Sequence, residues 1–75
     1  MKDKIKHIMS EVFKIPSNSI NNDTSMTTIG SWNSLNHMNL VVTIENEFNI
    51  KLTDENILTM LSYKKIIEII DEKKK

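Results

Sequence analysis

Residues 34–48 read SLNHMNLVVTIENEF, and Leu35, Met38, Leu40, Val41, Val42, Ile44 and Phe48 spread apolar side chains over more than half of a helical wheel. A helix apolar over so wide an arc must touch several neighbours. Ser34 is a good N-cap for it, and the helix is expected to end near Asn49. Working back toward the N-terminus, residues 16–33 read PSNSINNDTSMTTIGSWN, a long polar loop with only Ile20, Met26, Ile29 and Trp32 to tack it to a core. Before the loop, Ile5, Ile8, Met9, Val12 and Phe13 fall at i, i+3, i+4, i+7 and i+8, the spacing of one helical stripe. Pro16 disfavours helical geometry at Ile15 and stops that helix. Working forward from Phe48, Ile50 and Leu52 anchor a turn. Thr53 caps a short helix with Ile57, Met60 and Leu61 on one face, and Ser62 caps a last helix with Tyr63, Ile66, Ile67 and Ile70 inward. No segment alternates with period two for long enough to argue a strand. The predicted fold is an all-α four-helix bundle, three helices longer and one short, with a long first loop. Four amphipathic stripes have only one another to bury against.

Seventy-five residues allow one small domain, expected to span 1–75, and leave an enclosed catalytic cleft in competition with a thin core for material. Leu, Ile, Val and Phe make up 22 residues, enough to exclude disorder as the default. Ten lysines balance ten acids, with no arginine. Residues 33–61 carry four acids and one lysine, and without Lys73, Lys74 and Lys75 the chain has a net charge of minus three. A basic stripe free of acids is absent, which argues against nucleic acid as a partner and against a helix-turn-helix reading. With no cysteine there is neither a disulfide framework nor a thiolate metal site. The opening MKDKIKHIM lacks the apolar run of a secretory signal, and Glu68 interrupts the isoleucine pairs near the end, so the expectation is a cytoplasmic protein without membrane insertion.

Four segments together resemble the acyl carrier proteins and the related peptidyl carriers. They are Gly30-Ser31-Trp32-Asn33-Ser34-Leu35 entering a helix, the run Leu40 to Phe48, the segment Phe48-Asn49-Ile50-Lys51-Leu52-Thr53-Asp54-Glu55, and the closing Ile66-Ile67-Glu68-Ile69-Ile70. The resemblance covers essentially the whole chain. It implies a 4′-phosphopantetheine arm from coenzyme A on Ser34, carrying acyl or aminoacyl groups as thioesters. The protein would then be a carrier and not an enzyme. Its partners would be a phosphopantetheinyl transferase and enzymes that load and transfer the acyl group. Asn33, Leu35, His37, Met38 and Val41 are the docking residues expected on a monomer. The general chemistry agrees: a helix start, with free N–H groups and the positive end of the dipole, favours a nearby phosphodiester.

Asn33 stands where the family usually has Asp, keeping an acceptor but losing a charge, and Asn36, His37 and Asn39 stand where many carriers are acidic. This softened helix, with the neutral whole, favours a specialised biosynthetic line over housekeeping fatty-acid synthesis. Ser34 and His37 are three residues apart, so a nucleophilic dyad is conceivable, but no orienting acid or glycine-rich elbow accompanies them. His37 is read as lining the helix start or a docking surface. Gly30 is read as a turn residue with positive φ. The acids Glu45, Glu47, Asp54 and Glu55 are either a partner-facing patch or solvated helix ends. Met9, Met26, Met38 and Met60, with Leu40, Val42 and Ile57, are candidate walls for an acyl chain folded between helices. The competing reading is a helical interaction module that binds without modification.

Overall fold

The computed structural model describes residues 2–74, so Lys75 of the basic tail lies outside them. Four α-helices follow in order: α1 (Lys2–Phe13), α2 (Ser34–Phe48), α3 (Asp54–Thr59) and α4 (Tyr63–Lys73). This is the expected all-α arrangement of three longer helices and one short. A single 3-10 turn, Ser17–Ser19, interrupts the first loop. Among the described residues β pairing is confined to an isolated Ser25–Ser62 bridge, in which Met26 N donates to Leu61 O at 2.9 Å and Tyr63 N to Thr24 O at 3.0 Å.

The stripes predicted from spacing form one core. Ile5, Met9 and Phe13 of α1 meet Leu40 and Ile44 of α2 and Ile66 and Ile70 of α4, all fully buried or nearly so. Burying each is worth about 1.5–3 kcal/mol against exposure. Of the loop's four apolar residues, Ile20, Ile29 and Trp32 are buried and Met26 stays exposed. Ser31 Oγ donates to Phe13 O at 2.7 Å, fastening the loop's far end to the last turn of α1.

Helix ends show why the chain turns where it does. Lys14 takes φ 58° and Ile15 N reaches back to Ser10 O at 3.1 Å, so a left-handed residue closes α1 two positions before Pro16 acts. Asn49, φ 54°, closes α2 in the same way, with Ile50 N donating to Glu45 O. Gly30, expected to supply a positive φ, has none, and a Cβ there would meet no neighbour. Thr53 and Asn56 form a reciprocal capping box at the start of α3, and Ser62 caps α4 through Lys65 N.

Two of the acids considered for a partner patch are used inside the fold. Glu45 Oε2 accepts from Leu52 N at 2.8 Å, and Glu47 pairs with Lys4 at 3.2 Å. Asp54 and Glu55 sit in the first turn of α3, where the helix dipole favours them. Among the described residues no helix is long and apolar enough to cross a membrane.

Candidate functional site

The loop delivers the chain to α2 in a fixed orientation, because Trp32 is clamped. Its ring, 3 % exposed, lies 4.7 Å from that of Phe13, centroid to centroid, and its Nε1 donates to His37 Nδ1 at 3.0 Å. Asn33 follows in extended geometry and caps α2: its Oδ1 accepts from Asn36 N at 2.9 Å, while Asn36 Nδ2 donates to Ser31 O at 2.8 Å. The cap is therefore Asn33 and not Ser34, one residue earlier than expected. Serine and asparagine cap equally well, so their order in sequence could not decide between them.

Relieved of capping, Ser34 becomes the first helical residue, and its side chain is exposed. At that position a hydroxyl is presented beside backbone N–H groups that have no partner within the helix. The first turn of α2 holds no acidic residue, so nothing there repels an anion. Asn33 strengthens that feature, since it caps as Asp would without placing a negative charge beside the hydroxyl. The residues present thus fit a phosphodiester on Ser34 Oγ.

A cleft of about 370 Å³ opens beside Ser34, lined by Met26, His37, Met38, Ile57, Leu58 and Leu61. Its walls are α2, α3 and the loop, and no charged side chain lines it. Of the side chains expected to wall an acyl chain, Met26, Met38 and Ile57 line the cleft; Met9, Met60 and Leu40 are fully buried in the core, and Val42 is exposed. The exposed large apolar side chains among the described residues are Met26, Leu35, Met38, Val42, Leu58 and Leu61. Four of these line the cleft; Leu35 adjoins Ser34, and Leu35, Met38 and Val42 share one face of α2 at i, i+3 and i+7. Apolar exposure is thereby concentrated around one hydroxyl.

Two expected docking residues are placed differently. Val41 is 2 % exposed and belongs to the core; its neighbour Val42, at 52 %, occupies the outer face instead. On a wheel apolar over so wide an arc, the sequence does not say which valine faces in. His37 is 9 % exposed and lines the cleft from below. Both its ring nitrogens are engaged, Nδ1 with Trp32 and Nε2 with Ile57 O at 2.8 Å, so neither is free to take a proton from Ser34. The dyad reading ends there. Asn33, Leu35 and Met38 are exposed around Ser34.

A family model described as the phosphopantetheine attachment site matches residues 3–70. An acyl carrier protein from Buchnera aphidicola subsp. Schizaphis graminum is 35 % identical over 72 residues, covering 96 % of this chain and 91 % of that relative. The solution structure of a holo acyl carrier protein from Geobacter metallireducens superposes with a TM-score of 0.85 at 29 % identity, over 96 % of this chain and 83 % of the other. Helix order, apolar cleft and family match agree: the chain belongs to the phosphopantetheine-bearing acyl carrier proteins, carriers rather than catalysts, which work with a phosphopantetheinyl transferase and acyl-handling enzymes.

Proposed function

We propose that this 75-residue chain is a single carrier domain whose attachment atom is Ser34 Oγ, and that it serves a specialised biosynthetic line. In loading, Ser34 Oγ gives up its proton and forms a phosphodiester with the phosphopantetheinyl group of coenzyme A, and adenosine 3′,5′-bisphosphate leaves. Once attached, the arm supplies the thiol that holds an acyl group as a thioester. The protein's own part is to expose the hydroxyl on a rigid helix start, to leave backbone N–H groups free near the phosphate, and to gather an apolar surface where enzymes can grip. The observation that carries this reading is the pairing of an exposed, non-capping Ser34 with the apolar side chains around it.

The docking face consists of Asn33, Leu35 and Met38, extended by Val42 and Leu58. From Ser34 to Ile44, α2 carries no Asp, Glu, Lys or Arg. Enzymes that grip it do so through apolar contact and amide hydrogen bonds, with little electrostatic steering. This neutral helix favours a dedicated set of enzymes over housekeeping synthesis. A monomer in the cytoplasm suits the role, because every partner needs the same face in turn. Incubation with coenzyme A and a broad-specificity transferase, followed by intact-mass measurement, should show the gain of one arm. A chain left at its original mass would remove the attachment reading. In the same assay, raising salt well above about 0.15 M should leave the transferase KM nearly unchanged, whereas Leu35→Ala should raise it. A KM that climbs steeply with salt would contradict the neutral docking face.

A further inference from the structure

Five residues are methionine, and Met9, Met26, Met38 and Met60 lie among those the structure describes. They fall into two pairs. Met9 and Met60 are 0 % exposed and fill the core, whereas Met26 is 36 % and Met38 47 % exposed, and both line the cleft that Ser34 borders. Backbone geometry holds this second pair at the surface. Met26 N donates to Leu61 O at 2.9 Å, which pins the loop there, and Met38 shares its face of α2 with exposed Leu35 and Val42.

Methionine suits a surface that several enzymes grip in turn, because its unbranched, polarisable side chain adapts to different partners. The same sulfur is the weak point of such a surface. With no cysteine in the chain, the exposed thioethers are its most readily oxidised groups. A sulfoxide turns a flexible apolar side chain into a polar one that accepts hydrogen bonds and donates none. Ile57, Leu58 and Leu61 of the cleft have no side-chain donor to offer it, and both ring nitrogens of His37 are engaged. Of the lining side chains only Ser34 has an uncommitted donor, and that hydroxyl is the one to be loaded. A sulfoxide here is satisfied by water and loses that hydration when an apolar partner surface covers it.

We propose that Met26 and Met38 form a peroxide-sensitive modification site at the rim of the cleft, and that their conversion to sulfoxides weakens the grip of the enzyme that loads Ser34. At each residue the thioether sulfur gives an electron pair to one oxygen of hydrogen peroxide. An S–O bond forms as the O–O bond breaks, and the departing hydroxide takes the proton of the transferred oxygen and leaves as water. Sulfur is oxidised and the peroxide reduced. Met38, the more exposed, reacts first, while Met9 and Met60 are shielded as long as the core stays closed. The selectivity belongs to the chain itself; the effect on loading rests on the proposed function.

The test treats the folded, unmodified chain with hydrogen peroxide, since an attached arm's thiol would itself consume the oxidant, and follows each methionine by peptide mass mapping. Met26 and Met38 should gain oxygen at least about tenfold faster than Met9 and Met60, because the buried pair reacts only through opening of the core. Comparable rates at all four would overturn the site. The chain oxidised at the exposed pair then meets coenzyme A and the broad-specificity transferase. Its KM should rise about tenfold, the scale of covering an unpaired polar group, and should return after treatment with methionine sulfoxide reductases for both epimers. A Met26→Leu, Met38→Leu double variant, whatever its own KM, should show no rise after the same exposure. If that variant does not fold, reductase rescue decides alone. An unchanged KM, a rise that the reductases do not reverse, or loss of helical circular dichroism on oxidation would overturn the effect on loading. A chain that gains no arm even before peroxide would count against attachment at Ser34 instead, and the order of oxidation would still be decided by the mapping.

Discussion

Replacing Asn33 by alanine removes the acceptor for Asn36 N and should cost about 1 kcal/mol in urea unfolding. Ser34→Ala, one residue on, should change stability by less than about 0.5 kcal/mol, because the hydroxyl caps nothing and alanine is a good helix former. The two variants separate structure from chemistry at adjacent positions: the first weakens the fold, and the second abolishes loading. Equal losses of stability would show that Ser34 shares the cap. Lys14 offers a complementary case. Its φ of 58° is costly for a side chain bearing Cβ, so Lys14→Gly should raise stability, by up to about 1 kcal/mol after the entropy glycine adds to the unfolded chain. A fall in the thermal midpoint would contradict that account. Such details were not legible in the sequence. Nothing about Lys14 announces a left-handed residue, and His37 looks like a surface side chain until Trp32 and Ile57 O are seen on either side of it.

Among the elements, α1 and α4 were readable as helices because their stripes are narrow, but not in every detail: Lys14 closes α1 before Pro16 acts, and in α4 Ile69 is buried while Ile67, expected inward, is only half-buried. α2 was readable as a helix but not in its rotation, since apolar residues on more than half its wheel leave Val41 and Val42 interchangeable until the neighbours are placed. The loop's attachment through Ile20, Ile29 and Trp32 followed from their being apolar in a polar run; its Ser25–Ser62 bridge did not, because one pair of backbone bonds leaves no period in sequence. α3 depends most on its ends. Thr53→Ala removes the acceptor for Asn56 N, one half of the capping box, and should cost about 1 kcal/mol, with loss of exchange protection concentrated at Asn56 and Ile57. Uniform loss across all helices would mean that α3 has no independent opening and unfolds only with the whole.

At the scale of the whole molecule, Tyr63 couples the core to pH. Burial, and secondarily the charge of Asp3, push its phenol above the ordinary tyrosine value. A raised folded value means that the native state holds the proton where the unfolded chain has begun to release it. The stability so gained is complete below about pH 10 and declines as pH rises through the folded value. Tyr63→Phe should flatten the alkaline end of a stability profile; an unchanged profile would assign that decline to the lysines alone. The same overall view explains how a thin bundle can be a carrier. Its core is closed by α1, α2 and α4, its exposed apolar surface is gathered at the start of α2, and the chemistry needs only one oxygen there. The most direct test of that claim is fragment mass mapping of the protein isolated from its own cells, or after loading with coenzyme A and a competent transferase. The account predicts a phosphopantetheine mass on the fragment containing Ser34, absent from a folded Ser34→Ala variant. An arm found on another serine, or retained by Ser34→Ala, would contradict it.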